Sequence, residues 1–415
     1  MGVKTGMNKT KSHFFDKIRR MSVFLVAAVL ALFGAVVPLA IPVSADSGHF
    51  TITGGASPVF TTLMADQAYV IKDNVNYKLY YADGFTSIKL AQSPDGITWT
   101  PYGTVISDGQ EHADVQYYNT GFPGAFSGTN PSALTMNYRM WYQGLSGNSI
   151  SGWRYAESPD GINWYNHMSV SQYGVPVYSV ATGPTYGIAD VIYTPGASNT
   201  GTDWKFRIYA NVQWEIGAYG GRELVVMAFS SDGYNWTGYD PGSVGYATPV
   251  FAGTLNPSDF DCDHIGWFKV IKNSATDWEA FYSGGKDTTY KALNGIGYAT
   301  STDGINWTRN QTLFTTNDGA TWYDQSVWMP SVVKNGSNYQ IWFLGSDNTN
   351  IDGSDWIQWK LGYAGLTPNA LPPGPVTIGG EVFPVNKVTI LLPWIALFFI
   401  IISGGGVLLR RLNKR

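Results

Sequence analysis

Five aspartates recur along this chain at the heads of short apolar runs: Asp66 in MADQAYVI, Asp114 in HADVQYY, Asp190 in IADVIYT, Asp263 in CDHIGWFKV and Asp324 in YDQSVWMPSV, with spacings of 48, 76, 73 and 61 residues. Carboxylates gathered around one point in a partly dry site cannot all ionise comfortably. Some must take up protons, or a cation or a hydroxyl-rich ligand must offset the repulsion. The structural alternative is that several of them cap turns or accept backbone N–H bonds at strand starts, which Asp does readily. Glu111 and His112 stand just before the second run, and His264 adjoins Asp263. They add a carboxyl and two imidazoles that can handle protons, and for His264 the alternative is a satisfied core histidine.

The elements that must position these residues repeat. SPDGITW begins at 93, SPDGINW at 158, SSDGYNW at 230 and STDGINW at 301, giving spacings of 65, 72 and 71 residues. Each follows a short strand-like run (IKLAQS, WRYAES, VVMAFS, IGYATS), and each of these follows an aromatic one (YKLYY, YRMWY, WKFRIY, WEAFY). A fifth pair, YQIWF at 339 and LGYAG at 361, lacks the Asp-Gly turn. Asp-Gly supplies the positive φ of a tight hairpin, and the Trp three residues beyond begins an outer strand. Trp99, Trp164, Trp236 and Trp307 are accordingly read as packing residues. Five units of several strands, at periods well above ~50 residues, predict propeller blades rather than a solenoid. In such a fold chemistry collects around the axis, where the innermost strands begin, and the five aspartates are expected there.

Composition agrees with many short strands and tight turns: aromatic residues reach 15%, charged residues only 13%, and there are 48 glycines. Residues 46–366 hold 15 Lys and Arg against 28 Asp and Glu, a balance of −13 that the overall −4 conceals. So acidic a domain argues against nucleic acid and anionic polymers and suits neutral ligands or cations. Cys262 is the only cysteine, so the domain has no internal disulfide. Two apolar segments flank it. Residues 21–42 follow Lys17, Arg19 and Arg20 and end in Val43-Ser44-Ala45, the pattern of a signal peptide or an uncleaved signal anchor. Val388 to Leu409 carries no charge and precedes Arg410, Arg411, Lys414 and Arg415. It predicts a single transmembrane helix with the C-terminus cytoplasmic and the domain outside the cell. The expected plan is a signal segment at 1–45, an all-β five-bladed propeller at 46–366, a Pro/Gly-rich stalk at 367–387, the membrane helix at 388–409 and a basic tail at 410–415.

The aromatic strands, the YAxSxDGxxW hairpins and the inner-strand aspartates resemble those of the five-bladed propeller glycosidases, the superfamily of arabinanases, β-xylosidases, invertases and levansucrases. The resemblance implies a glycoside hydrolase-like domain at the cell surface acting on neutral poly- or oligosaccharide. It implies Asp66 as base or nucleophile and Asp190 as the residue that tunes the acid. The general acid, usually Glu on the fourth blade, has no Glu counterpart, since that blade offers Asp261 and Asp263. Asp263 is taken as the catalytic candidate. Asp114, Asp324, Glu111 and Trp328 are taken as substrate-binding candidates. No cofactor is required, although the histidine of arabinanase relatives implies His264 as a residue near a Ca2+ ion at the axis.

Two other classes compete. A propeller that binds glycans or mediates adhesion without turnover fits the anchor and stalk equally well, and the presence of an acid facing Asp66 discriminates it from a hydrolase. A sialidase is disfavoured because Asp and Gly are adjacent here, one residue short of its Asp box. Only Arg139, Arg154, Arg207, Arg222 and Arg309 are available in the domain to hold a substrate carboxylate.

Overall fold

The structure is a computed structural model that describes residues 49–64, 67–83, 86–107, 110–122, 134–146, 149–170, 187–214, 222–243, 247–286, 293–347 and 359–369. The signal segment, the membrane helix and the basic tail lie outside these residues. So does all of the stalk beyond Asn369.

Among the described residues every element is a β-strand, and the strands form five antiparallel sheets. Blade 1 comprises β2 (Ala68–Lys72), β3 (Tyr77–Asp83), β4 (Ser87–Ser93) and β5 (Thr100–Ile106). Blade 2 comprises β6 (Gln110–Tyr117), β7 (Tyr138–Ser146), β8 (Ser149–Ser158) and β9 (Tyr165–Ser169). In blade 3, β10 (Ile188–Tyr193), β11 (Phe206–Trp214) and β12 (Arg222–Ser230) are followed by two short outer strands, β13 (Thr237–Gly238) and β14 (Pro249–Phe251), both paired with β12. Blade 4 comprises β15 (His264–Ser274), β16 (Asp277–Gly285), β17 (Leu293–Ser301) and β18 (Trp307–Thr315). Blade 5 comprises β19 (Ser326–Asn335), β20 (Asn338–Ser346), β21 (Trp359–Pro368) and, as its outer strand, β1 (Phe50–Met64) from the other end of the domain.

That last pairing explains why the fifth repeat has no Asp-Gly hairpin. Its outer strand is not the next one in sequence, so no tight turn is needed. Phe50 pairs with Pro368 and Met64 with Trp359, which closes the ring through backbone hydrogen bonds. The last blade therefore takes in Thr367 and Pro368, which the sequence reading assigns to the stalk.

The four hairpins share one set of bonds. In the first, Ser93 Oγ accepts the N–H groups of Asp95 and Gly96, and Asp95 Oδ1 accepts those of Ile97 and Thr98. Ser158 and Asp160, Ser230 and Asp232, and Ser301 and Asp303 repeat the pattern. The serine and aspartate thus take up four donors that a tight turn leaves unpaired.

Each turn then docks on the preceding blade through its glycine carbonyl. Gly161 accepts Tyr80 OH at 2.8 Å, Gly233 accepts Trp141 Nε1 at 2.5 Å, and Gly304 accepts Tyr209 OH at 2.7 Å. Gly96 accepts Trp342 Nε1 at 2.7 Å, across the join between blades 5 and 1. The approach leaves no room for a side chain: a Cβ on Gly96 would lie 2.6 Å from Trp342 and one on Gly161 2.6 Å from Tyr80 OH, at φ of +79° and +73°. The four donors occupy the fourth position of the aromatic strand in blades 1, 2, 3 and 5. In blade 4 that position is Phe281, which has nothing to donate, and blade 4 faces the one blade without the turn. The hairpin tryptophans pack beside the donors, with Trp164 against Tyr80, Trp236 against Trp141 and Trp307 against Tyr209. They serve as the packing residues expected, each filling an apolar cluster shared by two blades.

Tyr80→Phe removes one buried hydrogen bond and Tyr209→Phe two, since Tyr209 OH also accepts Arg207 Nη1 at 3.3 Å; each leaves a turn carbonyl unpaired, which costs about 1–2 kcal/mol. Phe281→Tyr adds a buried hydroxyl with no turn carbonyl to receive it, and is expected to destabilise rather than to strengthen the join. Urea unfolding of the three variants checks this; a stabilised Phe281→Tyr protein would contradict the assignment.

Candidate active site at the axial mouth

Register across the blades shows which inner-strand residues are equivalent. Opposite Tyr80, Trp141, Tyr209, Phe281 and Trp342 stand Tyr69, Asp114, Asp190, Lys269 and Ser331. The next residue is valine in every blade: Val70, Val115, Val191, Val270 and Val332. Three of the five side chains reach to the following blade and accept its valine N–H. Asp114 Oδ2 takes Val191 at 2.8 Å, Asp190 Oδ2 takes Val270 at 2.7 Å, and Ser331 Oγ takes Val70 at 2.8 Å. Lys269 Nζ donates to Asp190 Oδ1 at 2.7 Å and to Tyr69 OH, while Tyr69 OH donates to Asp190 Oδ1 at 2.8 Å.

The structure therefore brings Asp114 and Asp190 together in a buried axial ring that pins inner strands to one another. Two carboxyls share one ammonium there. Burial and the charge of Asp190 push the Asp114 carboxyl up to about 8. Burial also raises Asp190, but the Lys269 ammonium, the Val270 N–H and the Tyr69 hydroxyl oppose it. The protonated carboxyl is assigned to Asp114 and the ionised one to Asp190, which leaves the ring electrically balanced near neutrality.

Asp263 and Asp324 are not at this level. The expected equivalence fails because the run heads stand at different distances from the ring: Asp114 and Asp190 are ring residues, whereas Asp263 lies six residues ahead of Lys269 and Asp324 seven ahead of Ser331. Bulges precede the ring between Glu111 and Asp114, Ile188 and Asp190, Gly266 and Lys269, and Trp328 and Ser331. Asp324 is exposed ahead of β19, near the Gln325 amide. Asp263 is half-buried and bound to Arg222 Nε at 2.8 Å. Asp66 lies outside the described residues, as do the side chains of Glu111 and His112.

At the N-terminal ends of the inner strands, Gln67, Ala68, Tyr69, Ala113, Trp267 and Met329 line a small cavity of about 20 Å³, which reaches in among Tyr80, Tyr81 and Ile88 of blade 1. Trp267 and Met329 sit in two of the bulges with φ of +40° and +55°. For bulky side chains such angles cost on the order of 1–3 kcal/mol each, and such strain clusters at ligand sites. Trp328 does not offer a face to this cavity. It is buried, with Trp267 at 3.9 Å and Trp359 at 5.9 Å between ring centroids, and its Nε1 has no hydrogen-bond partner. The half-buried Trp267 holds the place expected of it.

The wall between blades 3 and 4 carries a group that the sequence reading missed. Glu223, near the start of β12, is buried with its Oε2 at 3.3 Å from His264 Nδ1. Beside them Asn211 is 2% exposed, and both of its amide atoms lack hydrogen bonds. Gly266 leaves this space open, since a Cβ there would stand 2.9 Å from Asn211 Nδ2. Gln143 holds the corresponding position of blade 2 and is likewise buried without partners for its amide. Buried amides that lack partners are rare, and near a mouth they await water or ligand. The signal for Glu223 was the Arg222-Glu223 pair at the head of an otherwise aliphatic strand. His264 lies between blades against Glu223, and among the described residues no three His, Cys, Asp or Glu side chains converge as a metal-binding group.

The fold is that of the five-bladed propeller glycosidases, as expected from the hairpins and aromatic strands. No protein-family profile matches the sequence, and no curated protein does. Among solved structures, the chain is similar to one described as a glycoside hydrolase, with a TM-score of 0.51 at 15% identity, covering 78% of this chain and 93% of the other. It is similar to a glycoside hydrolase of the GH130 family of mannoside phosphorylases, with a TM-score of 0.51 at 16% identity over 80% and 98% of the two chains. The α-L-arabinofuranosidase of Podospora anserina, solved with cellotriose, matches with a TM-score of 0.50 at 13% identity over 78% and 98%.

The proton held by Asp114 makes stability depend on pH. Its folded-state affinity lies above the unfolded value of about 3.9, so the folded chain binds the extra proton between roughly pH 4 and 8 and stability falls as pH rises through that window. Asp114→Asn is expected to flatten the decline, read by urea unfolding from pH 4 to 9. Asp190→Asn instead strands the Lys269 ammonium and is expected to cost about 3–5 kcal/mol.

Proposed function

We propose that this chain is a glycoside hydrolase-like propeller that takes neutral carbohydrate at the axial mouth. The observation that carries this reading is the wall of blades 3 and 4, where a buried carboxyl–imidazole pair adjoins an amide without partners beside a strained tryptophan. Asn211 and Gln143 suit sugar hydroxyls, which both donate and accept, and Trp267 suits the apolar face of a sugar ring. The activities of the similar propellers, on arabinofuranosides and β-1,2-mannosides, support a saccharide as ligand.

In the catalytic form of this reading, Glu223 and His264 together supply the proton that the leaving glycosidic oxygen takes up. Asp66, just ahead of β2, activates water or attacks the anomeric carbon as the C–O bond breaks. Asp263 is engaged by Arg222, whose Nε lies 2.8 Å from its carboxyl, and is not given the donor's role. Asp190 acts beneath the site, fixing inner strands rather than touching substrate. A second reading, binding without turnover, is favoured by the burial of Glu223 behind β15. The segments at 21–42 and 388–409 support display of the propeller outside the cell on a single membrane helix. Calcium is not needed for either reading.

The test is a screen of the chain on arabinan, xylan, fructan and mannan oligosaccharides beside Asp66→Asn and Glu223→Gln. Turnover lost by a factor of about 100 or more in both variants, with oligosaccharide still bound, supports hydrolysis with those roles. Binding by all three proteins without release of sugar supports the second reading. Sugar released equally by all three removes both residues from the mechanism.

A further inference from the structure

The far end of the axis is chemically unlike the mouth. Eight residues beyond His264 along β15, about 26 Å at 3.3 Å per residue, a cleft of roughly 630 Å³ opens between the C-terminal ends of the inner strands. Lys269, Lys272 and Lys334 line it, together with Gln116, Thr194 and Asn273. Residues 46–366 carry a charge balance of −13 and only ten lysines, so three of them around one cleft run against the general field.

Two of the three ammonium groups are already balanced. Lys269 is paired with Asp190, and Lys334 lies 3.2 Å from Glu279 Oε2 and 2.7 Å from Asn273 Oδ1. Lys272 differs: its Nζ donates to Thr194 Oγ1 at 3.1 Å and lies 4.8 Å from the Trp278 ring centroid, with no carboxylate in contact among the described residues. Asp203 on the exposed rim is the one carboxylate lining the cleft, and the guanidinium of Arg207 acts on Lys272 from behind. Burial and Arg207 lower the affinity of Lys272 for its proton, the condition that a bound anion relieves.

We propose that this cleft is a second ligand site, separate from the axial mouth, that binds a compact oxyanion, a phosphate or carboxylate group, on Lys272 with Lys334 beside it. The Gln116 amide and the Thr194 hydroxyl line the remaining space and suit a hydroxylated body attached to that anion, whereas the Asn273 amide is taken up by Glu279 and Lys334. The site does not depend on the mouth being catalytic, since no residue is shared between them.

The test measures binding to the full-length chain by calorimetry, with inorganic phosphate, a hexose phosphate and a hexonate as probes against chloride at equal ionic strength. Saturable binding is expected, weakened about tenfold or more by Lys272→Met, largely kept by Lys272→Arg, and unchanged by Lys360→Met, whose lysine pairs with Asp347 on another surface. Binding of phosphate and hexose phosphate alone assigns the phosphate, and binding of the hexonate alone assigns the carboxylate. No probe bound above the chloride control, or undiminished binding by Lys272→Met, overturns the proposal. If Lys272→Met does not fold, Lys334→Met decides the same question against Lys272→Arg.

Discussion

The hydrogen bond from an aromatic side chain of one blade to the turn glycine of the next is the constraint on which this propeller rests. A turn carbonyl is a fixed acceptor only if the turn itself is fixed, which the serine and aspartate of each hairpin ensure by taking up its free N–H groups. The acceptor then selects a donor on the neighbouring blade: Tyr80, Trp141, Tyr209 or Trp342. A cation follows the same logic two residues earlier, where Arg139 and Arg207 donate to the carbonyls of Asp232 and Asp303. At the join where the turn is missing both features change together. Phe281 replaces the donor and Glu279 replaces the cation, and Glu279 accepts the hydroxyls of Tyr298 and Tyr339 instead.

Held at this spacing, the inner strands come close enough for the axial ring to form, and the ring sets the electrostatics above and below it. Asp190 and Lys269 neutralise each other at the centre, so polar groups at the two ends of the axis act independently. The mouth gathers a carboxyl, an imidazole and amides without partners. The opposite cleft gathers ammonium groups. Trp267 and Met329, held at positive φ in two of the bulges, both line the mouth.

The blades were legible because their signals are local. Asp-Gly turns, alternating aromatic strands and the trailing tryptophans all act within a few residues, and the structure follows them closely. Closure was not legible, since β1 pairs with β21 across some 300 residues and nothing within Phe50–Met64 names its partner. The level of each aspartate was illegible for a different reason. An Asp ahead of an apolar run does not state its distance from the ring: Asp114 directly precedes its ring valine, whereas Asp263 stands seven residues before Val270, so the two look alike in sequence yet sit at different heights. Only register against the second strand, with valine always next, reveals the true equivalents, three of which, Tyr69, Lys269 and Ser331, carry no carboxyl. Glu223 escaped because it opens an aliphatic strand and acquires its meaning from His264 on another blade.

The join of β1 and β21 also fixes where the propeller can be held. The backbone N–H of Asn369 bonds the carbonyl of His49 at 2.9 Å, so the chain enters and leaves the propeller at one point on the rim of blade 5. Force that pulls Phe50 and Pro368 apart is therefore resisted first by the β1–β21 pairing, before any contact at the axis is loaded.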